Sequence, residues 1–226
     1  KEEIIVLKDA KKLNGATCVV AGPGTGMGEC ILQPCHHRGG QIGYNVFGTE
    51  GGHKNFAPAS PLEWDYLNFI CQEMPEYIEK FGYVSTERAF CGPGIPNMYK
   101  FFCKRENVEP QKLTSEEIIK RALSKEDKIC VMVLEFFVSL YAKEVADFAL
   151  NSLPYGGIYL VGGLTNAISD YLLKDETCPF MKSYYSKGKI INALLERFPI
   201  YIVKGKELGL LGAFVKAQKD ACAGAT

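Results

Sequence analysis

The sequence predicts an α/β domain, and three features carry that expectation: short β-branched strands ending on glycine clusters, helices opened by capping boxes, and alternation of the two along the chain. Ala16 to Ala21 is an apolar, β-branched run that stops at Gly22-Pro23-Gly24-Thr25-Gly26-Met27-Gly28, a buried strand entering a tight loop. Gln41 to Phe47 is mixed in polarity and is followed by a second glycine loop, Gly48-Thr49-Glu50-Gly51-Gly52-His53, so the two loops bracket a predicted hairpin. Ser60-Pro61-Leu62-Glu63 combines a capping box with proline at the first helical position. With Leu62, Tyr66, Phe69 and Ile70 at helical spacing, it predicts a helix running to about Phe81. Tyr83 to Ser85 reads as extended and Glu87 to Phe90 as a helical turn. Cys91-Gly92-Pro93-Gly94 is a bend before a helix at Ile95 to Lys104. Thr114-Ser115-Glu116-Glu117 is a second capping box, and Asp127 to Leu150 is a long helix whose broad apolar face belongs to the core. Gly156 to Gly163 is a strand bounded by glycine pairs, with a helix beginning near Thr165. Pro199 to Val203 is the last strand and Leu208 to Lys219 the last helix; repeats, low-complexity stretches and an obvious interdomain linker are absent.

Composition narrows the function. The 226 residues, 47% of them apolar, suffice to bury a substantial core. Twenty-six basic residues balance twenty-six acidic ones, so no net field favours nucleic acid or an anionic membrane, and the expected partner is a small molecule. Nine cysteines at irregular spacing without a Cys-x-x-Cys pair read as mostly core thiols in a reducing, cytoplasmic setting. No apolar run approaches the roughly 18 to 20 residues of a membrane span, and Lys1-Glu2-Glu3 does not open a signal peptide. A first residue other than Met raises the expectation of a processed, truncated or partial chain.

Three clusters could carry chemistry. The loop from Gly22 to Gly28 offers sterically uncovered backbone amides and the Thr25 hydroxyl, which is what phosphate oxygens require. Its glycine register matches neither a dinucleotide turn nor a Walker loop, and taken alone it fits a structural turn as well. Glu50 and His53 lie three residues apart on a loop that glycine lets fold back, so a carboxylate and an imidazole could converge on a hydroxylated ligand. In isolation the pair equally describes a solvated Glu and a surface His, and Glu87 beside Arg88 an ordinary ion pair. Cys30, Cys35, His36 and His37 are too compressed for tetrahedral zinc, and no metal site is assigned.

The order of these motifs, Ala21 to Gly28, then Glu50-Gly51-Gly52-His53-Lys54-Asn55-Phe56-Ala57-Pro58, then Ser85-Thr86-Glu87-Arg88 and Gly92-Pro93-Gly94, then Gly156 to Gly163, resembles the bacterial-type, ATP-dependent glucokinase family over most of the chain. The resemblance implies an actin-like ATPase (ribonuclease H-like) domain, a mixed sheet flanked by helices. It implies that Glu50, His53 and Glu87 bind sugar hydroxyls. Gly24, Thr25 and Gly26 would form the second phosphate loop, and Gly162 and Gly163 would admit adenosine. It further implies ATP with Mg2+, glucose as substrate, transfer of the γ-phosphoryl to the sugar 6-hydroxyl, and a cytoplasmic homodimer with no membrane or nucleic-acid partner. The family's Asp-x-Gly-Gly-Thr first phosphate loop and the Asn-Asp pair bearing its catalytic base do not occur in residues 1–226, so no catalytic residue is assigned. The chain is therefore expected to be the large C-terminal domain, with a helix at about 207–220 that returns to a small domain. It is expected to be inactive alone and to derive from a longer enzyme. A non-catalytic sugar-binding or interaction lobe, and a kinase for a related hexose, are the alternatives.

Overall fold

The computed structural model describes residues 3–36, 42–174, 178–205 and 208–223. His37, Gln41, residue 207 and the terminal stretch from Gly224, which entered the sequence reading, lie outside the described residues.

Strands begin earlier than the pattern indicates. β1 (Glu3–Lys8) has Ile5 and Leu7 packed on the core and Ile4 and Val6 exposed. Because both faces are apolar, the alternation that would betray a strand is hidden. β2 (Cys18–Pro23) and β3 (Met27–His36) pair antiparallel as far as Pro23 opposite Met27. The expected loop from Gly22 to Gly28 is thus tighter, leaving only Gly24, Thr25 and Gly26 as the turn. β4 (Ile42–Gly48) pairs antiparallel with β3, which is the expected hairpin between the glycine loops. Pro34 is tolerated inside β3 because pairing with β2 stops at Leu32, so beyond that point β3 has β4 alone as neighbour.

A 3-10 turn, Gly51–His53, precedes α1 (Pro61–Glu73) and α2 (Pro75–Phe81). The single helix expected to run to Phe81 breaks at Met74 (φ −132°, ψ 52°), because Pro75 drives the residue before it out of the helical region. The Ser60 box is half formed. Ser60 Oγ accepts from the Glu63 amide at 3.3 Å, but the Glu63 carboxylate accepts from the Ala59 amide at 2.7 Å and pairs with Lys143. α3 (Thr86–Phe90), α4 (Gly94–Glu106), α5 (Ser115–Ser124) and α6 (Lys128–Ser152) follow near their expected positions. At α5 the capping box closes in both directions, with the Glu117 carboxylate accepting from the Thr114 amide at 2.8 Å and Thr114 Oγ1 accepting from the Glu117 amide at 3.2 Å. Beyond β5 (Gly157–Leu160) and α7 (Gly163–Ala167) come α8 (Ser169–Leu172), α9 (Pro179–Tyr184) and α10 (Lys189–Leu195), three short helices without a sequence expectation. β6 (Ile200–Lys204) and α11 (Leu208–Ala223) complete the described chain.

The sheet order is β1-β6-β5-β2-β3-β4. β2, β5 and β6 run parallel, while β1 opposes β6, β3 opposes β2 and β4 opposes β3. α6 forms the centre of the core, its Phe137, Tyr141 and Ala146 fully buried. Two tyrosine hydroxyls couple this core to the loops at the sheet's end. Tyr141 Oη lies 3.2 Å from Thr165 Oγ1 on α7, and Tyr66 Oη donates to the Ala89 carbonyl of α3 at 2.7 Å. Five cysteines (Cys18, Cys91, Cys103, Cys130, Cys178) are buried, as expected of core thiols, whereas Cys71 is exposed. Among the described residues no helix is long and apolar enough to cross a membrane.

Candidate functional site

The Gly24–Gly26 turn closes on itself through the Gly24 amide, which donates to the Gly26 carbonyl at 2.8 Å. It is docked against the start of α4 by the Gly92 amide, which donates to the Gly24 carbonyl at 2.7 Å. Gly92 must lack a side chain, since a Cβ would stand 2.8 Å from that carbonyl oxygen. Gly24 and Thr25 remain exposed, so the tip of the turn faces the space above the sheet.

The second glycine loop reaches the turn through α3. The Phe56 amide donates to Val84 O at 2.9 Å and the Thr86 amide to Lys54 O at 2.8 Å, stitching residues 54–56 to 84–86. Ser85 caps α3 by accepting from the Arg88 amide, and Glu87 thereby projects from its first turn toward the glycines. His53 then lies between two carboxylates, Nδ1 3.4 Å from Glu87 Oε1 and Nε2 3.6 Å from Glu50 Oε2. The second carboxylate oxygen of Glu87 accepts from the Met27 amide at 3.4 Å. Gly26 owes its identity to this neighbour, because a Cβ there would sit 2.4 Å from Glu87 Oε2. The three residues read from sequence as a sugar-binding set therefore converge, and the structure adds that Glu87 locks onto the glycine turn itself. Glu50, 89% exposed at its side chain, and His53, 59% exposed, leave acceptor and donor atoms open to a ligand.

Two cavities flank the turn and share Gly24. One, of about 620 Å3, is lined by the turn together with Glu87 and Gly162. The other, of about 800 Å3 and largely apolar, lies among Ile95, Ile119, Leu123, Gly163, Leu164 and Ala167. Gly162 adopts φ 101°, a conformation that favours glycine, and starts α7 at the carboxyl end of β5. Among the described residues nothing lies within 4 Å of a Cβ built on Gly163, and that residue lines the apolar cavity. Ile119 and Leu123 on α5 escaped the sequence reading. The available signal was Leu123 lying one position beyond the buried Ala122, which extends the apolar stripe of α5 around the helix toward a second surface.

Along the smaller cavity, which Glu29 also lines, lies a charge cluster that the sequence reading missed. Glu29 on β3 and Glu144 on α6 are buried, and Lys54 pairs with Glu144. Burial foremost, then the hydrogen bond and charge of Glu144, push the Glu29 carboxyl up to about 8, with Lys54 opposing. Among the described residues no group of three or more His, Cys, Asp or Glu side chains could hold a metal ion, and His37 of the compressed Cys/His stretch lies outside them.

Comparison with known proteins agrees with this geometry. The family model described as Glucokinase matches residues 1–220. The glucokinase of Synechocystis sp. is 32% identical over 239 residues, covering 97% of this chain and 64% of that protein. The glucokinase of Campylobacter jejuni subsp. doylei is 34% identical over 202 residues, covering 88% and 55%. The crystal structure of a glucokinase from an Antarctic psychrotroph superposes with a TM-score of 0.77 at 26% identity, covering 93% of this chain and 60% of that one. This chain thus spans 55 to 64% of the length of those two curated relatives. Its mixed six-stranded sheet with flanking helices is of the actin-like ATPase type. With the motifs, the converging side chains and the family match in agreement, the chain belongs to the glucokinase family.

Proposed function

We propose that this chain is the large, ligand-binding domain of an ATP-dependent glucokinase, whose whole enzyme transfers the γ-phosphoryl of ATP to the 6-hydroxyl of D-glucose. The observation that carries the reading is His53 standing between two carboxylates, 3.4 Å from Glu87 and 3.6 Å from Glu50, with Glu87 lining the cavity at the Gly24–Gly26 turn. Carboxylates accept from sugar hydroxyls and the imidazole serves one more, so a sugar lacking a hydroxyl would leave one of these groups unpaired. Orientation of the sugar beside the phosphate-facing turn is the domain's contribution to rate, since phosphoryl transfer depends on position and charge stabilisation.

The apolar cavity suits an adenosine moiety, with Gly163 opening onto it at the end of β5, Gly162 lining the adjoining cavity, and Gly24, Thr25 and Gly26 facing the phosphates. Mg2+ would arrive with those phosphates, its usual ligands beside water, because the described residues offer no carboxylate cluster for it. The catalytic base is assigned to a small domain outside this sequence, to which α11 (the helix expected at 207–220) would return. Cytoplasmic placement and a homodimer complete the reading on the strength of the family alone.

The test is a coupled assay for glucose 6-phosphate from glucose and Mg-ATP on the full-length product, on this chain, and on the full-length Glu50→Gln variant. Activity in the full-length protein that falls by about tenfold or more in Glu50→Gln, with none in this chain, is the expected result. No activity in the full-length protein would overturn it in favour of a sugar-binding or interaction role.

A further inference from the structure

Glu29, on β3, lines the smaller cavity at the Gly24–Gly26 turn and lies against the Gly51–His53 turn. Glu29 is only 7% exposed, and among the described residues its Oε1 has no hydrogen-bond partner. Its Oε2 presses on the first residue of the 3-10 turn, so closely that a Cβ on Gly51 would lie 1.8 Å away. The Glu29 backbone holds the same segment, since its carbonyl accepts from both the amide and the Oγ1 of Thr49 at 3.2 Å. Thr49 Oγ1 in turn accepts from the Gly51 amide at 3.2 Å. From the opposite side α6 presents Glu144, 6% exposed, paired with Lys54, the residue that follows His53.

Charge counting in this pocket is uneven. Two buried carboxylates face one ammonium. Another titratable group turned toward them is the Cys91 thiol at the end of α3, which burial, with Glu87, Glu144 and Glu29, keeps protonated. Across Gly52 stands Glu87, whose Oε2 would be 3.2 Å from a Cβ on that glycine, adding a further negative charge. Lys143 and Glu63, farther along, neutralise each other. A second ionised carboxylate here would be buried without a cation, which is the costly arrangement that proteins avoid by retaining a proton.

We propose that Glu29 keeps its carboxyl proton beneath the Gly51–His53 turn, beside the buried Glu144, and that it is a positioning residue which, through that proton, holds the turn where Glu50 and His53 meet the sugar. The second half rests on the sugar site proposed above; the first half does not. Losing the proton sets two carboxylates against each other with Gly51 directly above one of them, so the turn is displaced and sugar affinity falls. The folded-state value of Glu29 lies above its ordinary value of 4.5, so its contribution to stability is complete below that pH and is lost as pH rises through about 8.

Glutamate-selective carboxyl 13C NMR on this chain reads the proton without any sugar. One glutamate carboxyl is expected to remain protonated at neutral pH, to titrate near 8, and to vanish from the spectrum in Glu29→Gln. Ionisation of every glutamate by about pH 6 would overturn the proposal, whatever becomes of the sugar reading. Lys54→Met removes the cation paired with Glu144 and is expected to move that titration upward; an unchanged or lowered midpoint would equally overturn it.

In the full-length enzyme the KM for glucose is expected to rise about tenfold between pH 7 and pH 9, with kcat changing by less than about twofold. Glu29→Gln, which mimics the protonated form, is expected to match the wild-type KM within about twofold at pH 7 and to stay flat to pH 9. The same alkaline rise in both proteins would refute the positioning role. Should the full-length enzyme phosphorylate no glucose, the function reading fails separately, and the positioning role is read from amide exchange at residues 51–53. Exchange there is expected to quicken above pH 8 beyond the intrinsic rate in the wild type but not in Glu29→Gln, and equal behaviour would refute it.

Discussion

The two sides of the Gly24–Gly26 turn use glycine in opposite ways. On the polar side the missing side chains make room that carboxylates already fill: Glu87 occupies the space above Gly26, and Glu29 the space beside Gly51. On the apolar side Gly163 faces open space, bordered by Ile119, Leu123 and Leu164. The polar side is therefore a fixed arrangement of charges around small residues, whereas the apolar side is a shaped vacancy. A substitution should disturb the first by moving a neighbour and the second only by filling space.

The sharpest way to break this comparison is Glu87→Gln, which removes a carboxylate that touches His53 and the Met27 amide together. In the full-length enzyme kcat/KM for glucose should fall about a hundredfold while nucleotide affinity stays within about twofold, measured by coupled assay and by calorimetry. Gly26→Ala comes next, because its methyl would meet Glu87 Oε2 and shift it; a fall of about tenfold in glucose kcat/KM is expected. Thr114→Ala deletes the cap of α5, a wall of the apolar cavity, and should cost about 1 kcal/mol, lowering Tm by about 2 to 4 °C in thermal unfolding. Smallest of all, Gly163→Ala meets nothing within 4 Å and should leave stability within about 0.5 kcal/mol of wild type. If Gly163→Ala proved as damaging as Gly26→Ala, the contrast between the two sides would be lost.

Local signals were legible in the sequence and distant ones were not. The Thr114 box and the Asp127 start of α6 follow from residues a few positions apart and stand where the pattern puts them, while the glycine loop tightens to Gly24–Gly26 and α7 starts at Gly163 rather than near Thr165. The break at Met74 was also local, yet the apolar spacing on either side of Pro75 concealed it. β3 carries Glu29, Gln33 and Pro34, an uneven mixture that becomes a strand because β2 and β4 supply its hydrogen bonds. The Glu29, Lys54 and Glu144 cluster could not be read at all. Lys54 and Glu144 are 90 residues apart, and in sequence each resembles a solvated surface charge; only the fold reveals that Glu144 is buried and paired with the half-buried Lys54.

The most direct measurement of the central claim is amide chemical-shift mapping on this chain, titrated separately with glucose and with Mg-ADP. Glucose should move the amides of residues 51–53 and 86–88, and Mg-ADP those of residues 115–124 and 162–167. Glucose shifts confined to the apolar cavity, or the same residues responding to both ligands, would contradict the division of this domain into a polar sugar side and an apolar nucleotide side.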